Sequence, residues 1–219
     1  MQLSGQYHIQ FEFHGDPPLE DFETIEEDLH AEPGLEDVHI QGELHDFYRV
    51  IHSFDLWWTS TVEGAARWQR VRRGDKFVNV TYGQPSGYAA IALLAQLYTP
   101  LDRRDAGEHD VPYASLFTDY RILDRLDDGD RVAVRFYPDR QEPVLFYHRQ
   151  ATDSYHPLAL GFTTYMELLL EARALKGWQQ FFIDDPAYEV EPAWVAWFHA
   201  NLRRLFPDAD AARFQRVPT

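Results

Sequence analysis

The chain has no cysteine, only two lysines in 219 residues, and no long apolar run. Without cysteine neither a disulfide nor a thiolate metal site is available, so burial must hold the fold together. The same absence fits a reducing compartment. The longest apolar stretch, Ala89 to Ala95, falls far short of the ~20 residues that a membrane-crossing helix needs. Met1 to Ser4 shows neither the bases nor the apolar core of a secretion signal. Glycine-rich phosphate loops, dinucleotide fingerprints and the H-E-x-x-H zinc motif are missing as well. These absences predict a soluble, cytoplasmic protein with no cofactor and no membrane contact.

What the chain does have is apolar mass and acid. At 45% apolar and 15% aromatic it has the composition of a globular protein, and its length suffices to bury a large core. The net charge is −16 and is unevenly spread. Residues 1–66 contain fifteen acids and one base, Arg49, while residues 67–219 contain twenty-one acids and nineteen bases. Such an N-terminal third repels phosphate backbones and anionic lipid and attracts basic partners.

Hydrophobic spacing divides the chain into elements. Tyr7 to Phe13 alternates as a half-buried strand does. Asp16-Pro17-Pro18 opens a helix in which Leu19, Phe22, Ile25 and Leu29 form one stripe, and Pro33-Gly34 closes it. Glu43 to Phe54 fits a helix through Leu44, Phe47, Tyr48 and Ile51, or in part a strand. Trp57-Trp58 is core or the aromatic anchor of an interface. Arg67 to Tyr82 holds two strand-like runs about a turn, and Gly87 to Leu94 is a buried strand. Arg131 to Tyr137 and Pro143 to Tyr147 form a strand pair joined by a hairpin loop. Leu101 to Pro112 is a surface loop. Phe162 to Lys176 is a helix capped by Gly177, its Phe162, Tyr165, Met166, Leu169 and Leu170 packing on Val132, Val134, Val144 and Phe146. A last helix opens at Glu191-Pro192. Strands flanked by helices make the fold class α+β with an antiparallel sheet.

Reactive constellations are weak. His39, His45 and His52 stand six and seven residues apart, too irregular for a ligand pair, so no metal site is expected. Gly83-Gln84-Pro85-Ser86-Gly87 has the wrong spacing for a nucleophile elbow and reads as a turn. Asp184-Asp185-Pro186 and the acids about Gly129 read as turns or caps. Arg67, Arg70, Arg72, Arg73 and Lys76 form a basic cluster that is expected to pair with acids rather than to bind nucleic acid.

Several of these segments carry a family likeness. Asp119 to Ile183, with Tyr120-Arg121-Ile122-Leu123-Asp124, Asp130 to Tyr137, Val144 to His148, Tyr155 to Leu160 and Phe162 to Leu170, resembles the SMI1/KNR4-like (SUKH) superfamily. So do Glu43 to Arg49, the Trp58 region and Gly87 to Leu93. The resemblance implies one α+β domain over residues 1–183, best matched over 43–183, with an extra N-terminal strand. Residues 184–219 form a C-terminal helical extension packed on that domain. It implies no catalytic residues, and many bacterial members look like immunity proteins that neutralise toxins, often nucleases; fungal relatives look like regulators.

The expected function is therefore a non-catalytic module that binds a protein partner, a basic toxin first. A regulatory or scaffold protein comes second and a hydrolase using histidine and carboxylate third. The expected partner surface is Glu20, Glu23, Glu26, Glu27, Asp28, Glu32, Glu36 and Asp37, with Trp57.

Overall fold

A computed structural model describes residues 7–14, 22–31, 35–51, 53–60, 67–73, 76–82, 85–92, 97, 120–126 and 129–216. Seven strands form one antiparallel sheet: β1 (Tyr7–His14), β2 (Ser53–Ser60), β5 (Ser86–Ile91), β6 (Arg121–Arg125), β7 (Arg131–Arg135), β8 (Val144–Arg149) and β9 (Ser154–Pro157), in that spatial order. Between β2 and β5 the chain makes a separate two-stranded hairpin, β3 (Arg67–Arg73) and β4 (Lys76–Tyr82). The helices are α1 (Phe22–His30), α2 (Gly42–Tyr48), α3 (Phe162–Glu171) and α4 (Pro192–Leu205). This is the α+β arrangement of an antiparallel sheet with flanking helices.

The ambiguous segment after residue 42 divides into α2 and β2. Leu44 and Tyr48 of α2 are buried, and Phe47 sits edge-on to Phe162 of α3. In β2 the pleat separates the two tryptophans: Trp58 is buried and Trp57 is exposed. The Trp58 indole donates to the Arg173 carbonyl at 2.6 Å and meets Phe206 edge-on, so this face looks toward the helices. Gly87, opposite Trp58 in the register, leaves room for that indole; any Cβ there would overlap it.

Two sequence expectations need correction. First, α3 stops at Glu171, short of Lys176, and Gly177 does not cap it. Arg173 and Ala174 take positive φ, the Ala174 carbonyl accepts from Tyr88 N, and Leu175 bridges Gly87. Backbone pairing with β5 thus outcompetes another helical turn. Gly177, with φ of +82°, instead begins the 3-10 turn Trp178–Phe182. Second, Leu170 is 59% exposed, whereas Leu168 is buried beside Phe162, Tyr165 and Leu169. At ~100° per residue Leu168 flanks the arc these three define, about 60° beyond Tyr165, whereas Leu170 lies about 80° beyond Phe162 on the other side. In β8 the core residues are Leu145 and Tyr147, which face Val134 and Val132, while Val144 and Phe146 are only half-buried.

Long-range carboxylates cap the helices. Neither α2 nor α3 has a capping side chain at its own N-cap. Glu142 Oε1 accepts from Glu43 N at 2.9 Å, and Glu43 Oε2 accepts from Thr163 N at 2.8 Å. Each carboxylate satisfies an N–H that a first helical turn leaves open. Pro192 opens α4 at its first turn, as expected. Trp194, Trp197, Phe198, Leu202 and Leu205, with Phe214 beyond, belong to the same core cluster as α3 and the sheet.

Candidate functional site

The acids of the expected partner surface divide into distinct environments. On α1, Ile25 and Leu29 are buried and Phe22 half-buried, while Glu23 and Glu27 are exposed. Glu36 and Asp37 are exposed just beyond. Glu26 differs. Its carboxylate accepts from Ile40 N and lies 3.7 Å from His39 Nδ1, so it stitches α1 to the following segment. His30 strengthens the same junction, with Nε2 at 2.7 Å from the Val38 carbonyl and its ring edge-on to His39. Asp28 lies on α1 with its side chain outside the described residues, as are Glu20, Glu32 and the helix start at Asp16. So are the loop Leu101 to Pro112 and the side chains of the basic hairpin.

Trp57 is not brought to these acids. It points to the sheet face opposite the helices, whereas Ile25 and Leu29 place α1 in the helical layer. On its own face Trp57 lines an open groove of about 340 Å³ with Tyr88, Arg125, Leu126, Asp130 and Arg131. Trp57 is 39% exposed, and the register sets Tyr88 directly across from it. Asp130 is already engaged, accepting from Tyr147 Oη at 2.5 Å and from Gln150 N at 2.9 Å.

A third constellation escaped the sequence reading. Ser154 Oγ lies 2.9 Å from His156 Nε2, and His156 Nδ1 lies 2.7 Å from Asp185 Oδ2. Asp185 is fixed by accepting from Ala187 N, and its carboxyl is held below the usual carboxylate range chiefly by the histidine hydrogen bond. This is the connectivity of a serine hydrolase triad. The alternation of β9 places Ser154 and His156 on one face, but no sequence signal links them to an acid twenty-nine residues on. Catalysis also needs donors for an oxyanion and a place for the substrate. Neither groove described along this sheet is lined by these residues. Ser154 Oγ also lies 2.7 Å from Thr152 Oγ1, so the chain of contacts works as a clamp between β9 and the 184–188 turn.

Under the sheet, Asp124 is fully buried at a bulge in β6. It accepts from Ala90 N at 2.8 Å and from Tyr165 Oη at 2.6 Å. Burial pushes its carboxyl up to about 7, against the pull of those two hydrogen bonds. Burial first, and the neighbouring Asp124 second, also raise the Tyr48 and Tyr165 phenols. Asp124 has no access to a ligand and serves as an internal acceptor.

Among the described residues no group of three or more histidine, aspartate and glutamate side chains converges to hold a metal. His39 and His45 are engaged locally, His45 against the Phe22 ring, and His52 lies outside the described residues. No described helix is long and apolar enough to cross a membrane. Set against family models, curated proteins and solved structures, the chain matches none.

Proposed function

We propose that the chain is a non-catalytic protein-binding module that acts in the cytoplasm as an immunity protein and neutralises a basic toxin, a nuclease first among the candidates. The observation that carries this reading is charge segregation: fifteen acids against one base in residues 1–66 of a chain whose net charge is −16. Glu23, Glu27, Glu36 and Asp37 present part of that charge to solvent on and after α1. Such a face speeds encounter with a basic protein by ~10–10³-fold and repels nucleic acid, the substrate with which the immunity protein competes. The resemblance to the SUKH superfamily supports the same reading.

The test is capture of the partner from the native host, followed by association kinetics with the partner so identified. A Glu23→Lys/Glu27→Lys variant keeps the fold, because Glu26 and the buried stripe are untouched. It is expected to slow association about tenfold at low salt and to flatten the salt dependence. An unchanged on-rate makes α1 a solubilising face, and a partner without toxin activity turns the reading to a regulator or scaffold. The hydrolase alternative rests on Ser154, His156 and Asp185. Stoichiometric labelling of Ser154 by a fluorophosphonate would establish it, and no labelling is the expected result.

A further inference from the structure

The groove beside Trp57 has the opposite character to α1 and lies on the other side of the sheet. We propose that it is a second docking site, for a partner segment presenting one carboxylate next to an apolar side chain. Four observations converge on that occupant. Trp57 is 39% exposed, whereas Trp58, Trp178, Trp194 and Trp197 are all buried. It stands across from Tyr88, so two aromatic residues are neighbours on this face. Arg125 is exposed, and its guanidinium makes no hydrogen bond or ion pair among the described residues, while Arg173 and Arg213 are paired with Asp208 and Glu167. Among the described residues the one acid lining the groove, Asp130, is occupied by Tyr147 and Gln150.

Arg131, itself buried, lines the groove beside Arg125. A planar guanidinium recognises a carboxylate through two parallel hydrogen bonds, and the rings supply the apolar contact beside it. Asp55 lies in the same cross-sheet row, separated from Arg125 by Ala90, and so bounds the positive patch. With a net charge of −16, the chain repels an extended polyanion, and the groove selects a single carboxylate held by contact. This site does not depend on the reading of α1, which faces the other way.

The experiment uses the full chain labelled with nitrogen-15 and follows its tryptophan indole signals, that of Trp57 being assigned by its loss in Trp57→Phe. The probe is a blocked peptide of sequence glycine-leucine-glutamate-leucine-glycine, with a lysine counterpart as control. The Trp57 signal is expected to shift and saturate in the low millimolar range, roughly that of one anchored contact. The lysine peptide is expected to bind at least about tenfold more weakly, and Arg125→Gln to lose about tenfold for the glutamate peptide alone. Equal shifts with both peptides, or none up to about 10 mM, overturn the proposal. So does a Trp57 signal that moves with protein concentration instead, which marks a second copy as the occupant, or with an oligonucleotide.

Discussion

Asp124 shows how one residue sets a pH dependence for the whole chain. Its folded pKa, pushed up to about 7, lies above the ~3.9 of an unfolded aspartate. The folded state therefore binds the proton more tightly, and this stability is complete below pH ~4 and lost as pH rises through about 7. Three units correspond to at most about 4 kcal/mol. His148 and His199 are shifted down, mainly by burial, and contribute in the opposite sense, destabilising as pH falls below ~6.5. The difference between wild type and Asp124→Asn isolates the carboxyl. Asparagine keeps an acceptor for Ala90 N, so urea unfolding at pH 5 and pH 8 is expected to show a smaller loss of stability with rising pH in the variant. Equal losses would remove Asp124 as the source. Glu26 is the second such residue: replacing it with Ala leaves Ile40 N without its acceptor and is expected to cost about 1–3 kcal/mol.

At the scale of elements, α3 offers the sharpest contrast. Leu169 is 1% exposed and its neighbour Leu170 59% exposed. Leu169→Ala is expected to destabilise by about 2–5 kcal/mol, and Leu170→Ala to stay within about 0.5 kcal/mol. Denaturant midpoints at constant slope decide this; comparable losses would place the helix the wrong way round. The carboxylate caps make a weaker prediction. Glu43→Ala removes the partner of Thr163 N in a solvent-exposed setting and is expected to cost about 1 kcal/mol. Both effects belong to the contact of α3 with its surroundings, since local propensity is nearly unchanged by either substitution.

For the molecule as a whole, excess acid opposes compaction. Screening of that repulsion by salt is expected to raise the melting temperature, because fifteen acids share residues 1–66 with a single arginine. Calorimetry at low and at about 0.5 M salt tests this, a Debye length near 4 Å leaving only contact pairs unscreened. Glu23→Lys/Glu27→Lys is expected to shrink the increment, and an unchanged increment would mean that acids elsewhere dominate. The same two substitutions slow the proposed association, so one variant connects stability and function through one field.

The strand pair 131–135 and 144–149, the opening strand, the start of α4 and the class of fold were legible because each rests on a local period or on a turn between adjacent segments. What lay beyond the sequence depended on partners distant along the chain. The split of Trp57 from Trp58 needed the strand assignment of β2, and the stop of α3 needed β5 as a competing backbone partner. Glu26 looked like one more acid on a charged helix until the fold set Ile40 N against it. The groove of Trp57, Tyr88 and Arg125 likewise exists only once three strands lie side by side. Composition and spacing determined charge, class and elements, which are sums and periods over the chain. The tertiary structure decided which acids are spent on the fold and which stand exposed, because hydrogen bonds between remote residues leave no period to read.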